Sequence, residues 1–389
     1  RKIKSKMNQN DMPVFCDVSA EEQVDALKAF LSRLGVKIVS GAWHDILSDL
    51  VKNMTRFYAT EISEPDLEMI LNSILSLIII SPEETCGNLV SLFSEQIIRA
   101  TLPERYNTLK LRIISNLFHG LISTSRHRYT VYLYLIRCST VARNSQFLQL
   151  DLELIKRYLQ TWQSTTEESQ VLYRLLFEAT AQMNDSKNAL KFITQLLGTY
   201  TKETASKSRE DAHKCIVYCI NDPNIFIFDS LLLLEPIKFL EGELIHNLFT
   251  IFVSGNLTQY IDFTNSHKQF ISQVGMDHEK NINKMRILSL MTLAENSKEL
   301  SFDLLEKELQ IEADEIESFV IDAIRTKCIR CKIDHLARNV TVMSVSYRTF
   351  TKQNWLVLKD KLEKWRENLA TVDQNLTNII AQPSLLQIS

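Results

Sequence analysis

Residues 301–348 read SFDLLEKELQIEADEIESFVIDAIRTKCIRCKIDHLARNVTVMSVSYR, and this stretch decides the fold. Its first half predicts two short helices separated by a break at residues 310–313. Ser301 is a favourable N-cap for the first helix, in which Phe302, Leu305 and Leu309 follow at helical spacing. The second helix carries one apolar face, formed by Ile316, Phe319, Val320, Ala323 and Ile324.

The second half of this stretch changes to the two-residue period of β-strands. Ile329, Cys331 and Ile333 alternate with polar or charged neighbours across residues 327–334. A turn at residues 335–339 then leads into a second strand-like segment, residues 340–348. Helix, turn, helix and hairpin in this order predict a winged helix.

The chain before this stretch is a series of apolar helical patterns. From about residue 21 to residue 295 such patterns alternate with short breaks, as at Pro82, Pro103 and residues 184–185. No sharp internal repeat is present, so we expect a degenerate array of stacked helices. The chain is therefore predicted to be mainly α. We expect a right-handed, TPR- or HEAT-like helical-repeat array, capped by a winged-helix subdomain with a small antiparallel β-hairpin, and then a heptad helix.

The heptad helix follows the winged helix and carries a four-heptad apolar seam. Its apolar residues are spaced by three and four in alternation, which is the period of coiled coils and helix bundles. Off this seam, every residue between Leu358 and Ile379 except Ala370 is polar or charged, so the helix needs a facing helix. We call these residues the bundle seam and predict that they bind a partner: Trp355, Leu358, Leu362, Trp365, Leu369, Val372, Leu376 and Ile379.

Composition narrows the class of protein. The chain has 389 residues, 45% of them hydrophobic and 23% charged, with 8 Gly and 7 Pro, which is typical of a soluble helical protein of more than one domain. A net charge of −3 provides no bulk positive field for nucleic acid. Seven scattered Cys without framework spacing favour reduced thiols in the cytosol or nucleus, and we expect a cytoplasmic protein. The longest apolar run, residues 74–80, is too short for a membrane span.

Catalytic and ligand-binding motifs are not found. The pair Cys328-x-x-Cys331 would point to opposite faces of a strand, so we do not expect it to chelate zinc. The second helix of the winged helix carries Asp314, Glu315 and Glu317, which would be repelled by DNA phosphates. We therefore predict no enzyme, no cofactor, no metal, no small-molecule substrate and no membrane association.

Several sequence blocks resemble the PCI family, which supplies scaffold subunits to the proteasome lid, the signalosome and translation initiation factor 3. The blocks are similar to members from translation initiation factor 3, and they lie at residues 115–120 (SNLFHG), 128–132 (RYTVY), 239–246 (FLEGELIH), 248–253 (LFTIFV) and 311–326. The resemblance implies a non-catalytic scaffold subunit that helps assemble this factor and recruit mRNA and initiator tRNA to the small ribosomal subunit. It also implies other PCI subunits and that ribosomal subunit as partners.

The resemblance also suggests how the chain is divided. We expect a flexible leader at residues 1–20, the helical array at 21–200 and the PCI domain at 201–350. Within the PCI domain, residues 201–298 would be helices and 299–350 the winged helix. The bundle helix would occupy residues 351–381, and a flexible tail residues 382–389.

Two further surfaces are predicted on the winged helix. We expect its last strand to be an exposed edge that pairs with another PCI subunit, and we call Val340, Val342, Val345 and Tyr347 the wing edge. A weak RNA contact is predicted for the wing basic set, which comprises Lys327, Arg330, Lys332, Arg338 and Arg348. Two alternatives stay open: a PCI subunit of the signalosome, or shared with it, and an RNA-binding PCI adaptor in mRNA export.

Overall fold

The computed structural model describes residues 19–33, 43–54, 63–99, 106–201 and 203–381. The predicted leader up to residue 18 and the predicted tail at residues 382–389 lie outside these ranges. The chain divides into two compact units, which meet in sequence between Thr201 and Lys202.

The first unit is a series of helices whose breaks are set by local sequence. The helices are α1 (Ala20–Arg33), α2 (Trp43–Lys52), α3 (Glu64–Ile80), α4 (Glu83–Arg99), α5 (Asn107–Gly120), α6 (His127–Ala142), α7 (Leu152–Thr161), α8 (Thr166–Gln182) and α9 (Ser186–Gly198). Thr165 and Glu168 form a capping box at the start of α8, and Asp185 caps α9. Each cap satisfies backbone N–H groups that have no partner within the helix.

Packing in the first unit follows the pattern of a helical-repeat array. Helices α1 to α6 pack against a neighbour and a next-but-one neighbour, as α5 does against α6 and α3, and α6 also packs against α8. Leu117, Ile136 and Leu176 lie fully buried between these helices. The prediction of a mainly α helical array is confirmed.

The second unit begins with helices and ends with a small sheet and a long helix. Its helices before the sheet are α10 (Arg209–Asn221), α11 (Asp229–Leu232), α12 (Glu235–Lys238), α13 (Leu244–Ser254), α14 (Leu257–Ser266), α15 (Lys268–Val274) and α16 (His278–Asn296). Then follow β1 (Glu299–Ser301), α17 (Phe302–Leu309), α18 (Ile316–Arg325), β2 (Ile329–Asp334), β3 (Asn339–Val345) and α19 (Lys352–Ala381).

The winged helix is formed by β1, α17, α18, β2 and β3 around one apolar core. Leu300, Leu305, Leu309 and Val320 are fully buried there. Ser301 caps α17 by accepting a hydrogen bond from the backbone N–H of Leu304 at 3.3 Å, as predicted. The alternation on β2 is also confirmed, since Ile329 faces the core while Arg330 and Lys332 are exposed.

The sheet order corrects one prediction. The strands are antiparallel in the order β1–β3–β2, so β3 is the central strand and its first three residues, Asn339–Thr341, are paired on both sides and do not form an exposed edge. The sequence patterns did not predict β1, which is three residues long and pairs Leu300 with Val340. The outer edge of the hairpin is β2.

Candidate partner interface

The bundle helix α19 is attached to the second unit only at its root. Thr351 accepts a hydrogen bond from the backbone N–H of Asn354, and the side chain of Asn354 donates to Glu295 Oε1 at 3.4 Å. The ring of Phe350 packs edge-on against Trp355 at 4.8 Å between centroids. From Trp355 to Asn378 only Glu363 is even partly buried. Within the described residues, α19 therefore packs on the body only in its first turn.

The bundle seam is a solvent-exposed apolar stripe along this helix. Between 38% and 69% of each residue is exposed for Trp355, Leu358, Leu362, Trp365, Leu369, Val372 and Leu376. Ile379 lies in the helical backbone, but its side chain is outside the described residues. Within the described residues, no other element covers the seam between Trp355 and Leu376, a length of about 30 Å at a rise of about 1.5 Å per residue.

Sequence reasoning missed the width of the stripe near the root. Leu356 and Val357 are 46% and 40% exposed, although neither lies on the heptad positions. The run Trp355 to Leu358 is apolar at four consecutive positions, and this signal could have shown that the stripe broadens there. A partner at the root would therefore meet a wider apolar surface than at the tip.

The wing edge is mostly turned inward. Val340 is 1% exposed and lies in the winged-helix core, between Leu300 on β1 and Ile333 on β2. Val342 and Val345 pack against the same core and are partly buried. Val340 pairs with β1, and the backbone N–H of Val342 donates to Lys298 O, so the prediction of an exposed pairing edge is wrong at these two residues, whereas Val345 lies beyond β1 and pairs only with Ile329 on β2. Tyr347 lies beyond the strand and is 39% exposed.

Four of the five residues in the wing basic set are on the surface. Arg330 and Lys332 project from the outer face of β2, which also carries Asp334. Lys327 lies between α18 and β2, and Arg338 is in the turn between β2 and β3. Arg338 lies 3.9 Å from the Asp303 carboxylate, so part of its charge is already compensated.

The structure shows that Arg348 does not belong to the surface cations of the wing. Its side chain is 4% exposed, and it donates hydrogen bonds to the carbonyl oxygens of Ile251, Phe252 and Gly255. A guanidinium held in this way cannot reach a nucleic acid on the surface. The prediction of RNA contact by Arg348 is therefore wrong.

Helix α18 presents acidic side chains to solvent, as its sequence predicted. Asp314 and Glu315, which directly precede α18, and Asp322 on α18 are exposed, and Asp322 accepts a hydrogen bond from Arg325 at 2.7 Å. Glu317 pairs with His335 in the turn of the hairpin. A phosphate backbone laid along this helix would meet like charge.

Metal and membrane sites are not found in the described part of the chain. No group of three or more His, Cys, Asp or Glu among these residues is placed to hold a metal ion. None of the described helices is long and apolar enough to cross a bilayer.

Comparison with known proteins identifies the family. A PCI domain is recognised over residues 259–344, which run from α14 to near the end of β3. Eukaryotic translation initiation factor 3 subunit M from Homo sapiens is 41% identical over 372 residues, which cover 95% of this chain and 99% of the human protein. The chain belongs to the translation initiation factor 3 subunit M family. Subunit M proteins from Mus musculus and Gallus gallus are 40% and 39% identical with the same coverage.

Membership in the subunit M family confirms the resemblance noted in the sequence blocks. The recognised PCI segment, residues 259–344, includes the winged helix and the helices that carry it. Helix α19 begins eight residues after this segment, at Lys352. The bundle seam therefore lies outside the recognised domain.

Proposed function

We propose that this chain is a non-catalytic scaffold subunit of the translation initiation factor 3 complex in the cytoplasm. It helps assemble the complex and recruit mRNA and initiator tRNA to the small ribosomal subunit. The observation that carries the proposal is the exposed bundle seam of α19 in a chain whose relatives are named as subunits of this factor. A helix with one apolar stripe and three polar faces is suited to a shared helical bundle.

The energetics of the seam favour a site of assembly. Full burial of one large apolar side chain stabilises by about 1.5–3 kcal/mol, so the half-exposed seam offers on the order of 10 kcal/mol to a partner. Association itself costs about 4–15 kcal/mol in lost rigid-body freedom. The two values are of the same size, so α19 would bind firmly only as one helix among several contacts. Cooperative assembly of this kind is what a multi-subunit scaffold requires.

The desolvated cations of the second unit support a structural role. Lys284 and Arg348 are both nearly fully buried, and both donate hydrogen bonds to backbone carbonyls at the ends of helices. Burial lowers the pKa of Lys284 to about 7, but its ammonium lies inside the core and not in a cleft. These groups serve helix packing and are not placed to act on a substrate.

Any contact with RNA is proposed to be weak and confined to the wing. Lys327, Arg330, Lys332 and Arg338 are the exposed cations there, and Asp303 and Asp334 lie among them. A surface of mixed charge differs from the continuous positive groove of single-strand binders. Ribosome placement would therefore depend on the whole complex.

Mass spectrometry of the proteins that co-purify with the tagged chain from native cytoplasmic extract tests the proposal. We expect the other initiation factor 3 subunits together with proteins of the small ribosomal subunit. Recovery of deneddylase subunits of the signalosome instead would contradict the assignment to this factor. A chain recovered alone, or with RNA only, would contradict the scaffold role.

A further inference from the structure

Arg348 occupies a closed socket at the end of helix α13. Its Nη1 donates to Gly255 O at 2.7 Å and to Thr292 Oγ1 at 3.2 Å, and its Nη2 donates to Ile251 O at 3.0 Å and Phe252 O at 2.8 Å. The carbonyl acceptors belong to the last turn of α13 and to Gly255, which directly follows it, and Thr292 lies about one turn before the end of α16. One side chain therefore joins the segment after β3 to two helices of the PCI domain.

The charge of Arg348 is compensated by the helix end and not by a carboxylate. The carbonyl groups in the last turn of a helix lack N–H partners and carry partial negative charge. Although burial lowers the pKa of Arg348 to about 10, the group still carries its proton at neutral pH. The planar guanidinium offers five N–H donors in a fixed fork, which suits the four acceptors here, whereas an ammonium offers three donors from a single nitrogen.

Gly255 is required for the shape of this socket. A Cβ atom at this position would lie 2.8 Å from Ile251 O and 2.9 Å from Ile251 Cα, and both are backbone atoms of α13. Because Ile251 O is one of the acceptors of Arg348, a side chain at Gly255 would displace the group that Arg348 binds. The socket therefore depends on both residues.

Only residues 349–351 separate the anchored Arg348 from the start of α19. Within and just after this connection, Asn354 donates to Thr349 O at 3.3 Å, and Phe350 packs between the rings of Tyr347 and Trp355. A connection so short, closed by a hydrogen bond and by rings that pack edge-on, transmits the position of Arg348 to the first turn of the helix.

We propose that Arg348 is a positioning residue that fixes the direction in which α19 leaves the PCI domain, and so pre-orients the bundle seam for its partner helices. The inference rests on the proposed function of the seam in assembly. At about 1.5 Å per residue, α19 is about 45 Å long, so a tilt of about 10° at the root moves its tip by about 8 Å. A displacement of this size exceeds the spacing of one helical turn and would misplace the seam.

Pre-orientation would act through the entropy of binding. A helix that already points along the bundle loses less freedom when it docks than one that swings about its root. Loss of the socket is therefore expected to weaken incorporation into the complex by about tenfold, which corresponds to about 1.4 kcal/mol.

Double electron–electron resonance on the full chain measures the orientation directly. Spin labels are attached through genetically encoded keto amino acids at Glu279 on α16 and at Lys361 on α19, which are both exposed polar positions. The wild type is expected to give one narrow distance distribution. Arg348→Lys keeps the positive charge but loses the fork, and Gly255→Ala displaces an acceptor, so both are expected to broaden the distribution. Arg338→Lys is the matched control on the surface and should leave it narrow.

Each outcome decides the proposal. A narrow, unshifted distribution in folded Arg348→Lys would overturn it, because the direction of α19 would then be set elsewhere. Loss of the winged-helix fold in Arg348→Lys would also overturn it, since Arg348 would then be a residue of core stability. These distances are measured without partners, so failure of the proposed assembly function would leave the wild-type distribution narrow and would be recognised separately.

Discussion

The winged helix and helix α19 lie next to each other in sequence, but leucines at helical spacing are buried in the winged helix and exposed on α19. Leu305 and Leu309 on α17 are fully buried, whereas Leu362 and Leu369 on α19 are 52% and 69% exposed. Both pairs follow helical spacing. The difference is that α17 has a sheet and a second helix of its own chain to cover it, and α19 has no such cover among the described residues. Periodicity thus predicts a helix, and the missing cover points to a partner.

We expect the largest loss of stability from a substitution in the buried core of the winged helix. Leu305→Asp places an unpaired charge in the winged-helix core, where ionised carboxylates are strongly disfavoured. We expect the free energy of unfolding of the second unit to fall by more than about 4 kcal/mol, measured by denaturant titration. A variant with an unchanged midpoint would show that the core is wrongly placed.

A buried cation should give the next largest effect. The ammonium of Lys284 donates to Cys219 O at 2.6 Å, to Ile220 O at 3.1 Å and to Asp222 O, and it lies 5.1 Å from the ring centroid of Phe228. Lys284→Met leaves these carbonyls without a donor, so we expect a loss of about 1–3 kcal/mol in the free energy of unfolding. Lys364→Met on exposed α19 is the matched control and should change the melting temperature little.

Lys284 also predicts how the stability of the protein depends on pH. Burial lowers its pKa from 10.5 to about 7, so the unfolded chain holds this proton over a range in which the folded chain has released it. The stability difference between wild type and Lys284→Met should therefore grow as pH rises from about 7 to about 9, and it should be flat below the folded pKa. A difference that shrinks over this range would contradict the direction of the pKa change.

The smallest effect is expected from charges on the polar faces of α19. The Lys359 ammonium lies 3.9 Å from the Glu363 carboxylate, and both side chains are largely exposed. Lys359→Gln should change the free energy of unfolding by no more than about 0.5 kcal/mol, because exposed ion pairs are screened by solvent. A loss of complex as large as that caused by a seam variant would mean that the polar faces also bind partners.

Local patterns in the sequence predicted most of the secondary structure. The N-cap of Ser301, the break at Gln310 and the alternation on β2 are set by neighbouring residues, and each is confirmed. The heptad period predicts one long helix over the seam, and α19, which runs from Lys352 to Ala381, contains every seam residue. Such features depend on spacing along the chain, which a single sequence contains.

Features that depend on distant residues were not predicted. The pairing of β1 with β3 joins residues about forty positions apart, and three residues carry too little periodicity to indicate a strand. Without β1, the sequence predicts β3 as the edge strand of a two-stranded hairpin. Arg348 was counted as a surface cation because most arginines are exposed, and its acceptors on α13 lie more than ninety residues earlier. The bundle seam and its partners stay a prediction.

Co-purification of seam variants tests the central claim most directly. Leu362→Asp with Leu369→Asp adds two charges to the seam, and Thr371→Asp with Gln374→Asp adds the same two charges to the polar faces of the same helix. We predict that the seam variant is lost from the initiation factor complex while its melting temperature stays close to that of the control variant, which is retained. A seam variant recovered with its partners at the wild-type level would contradict the account.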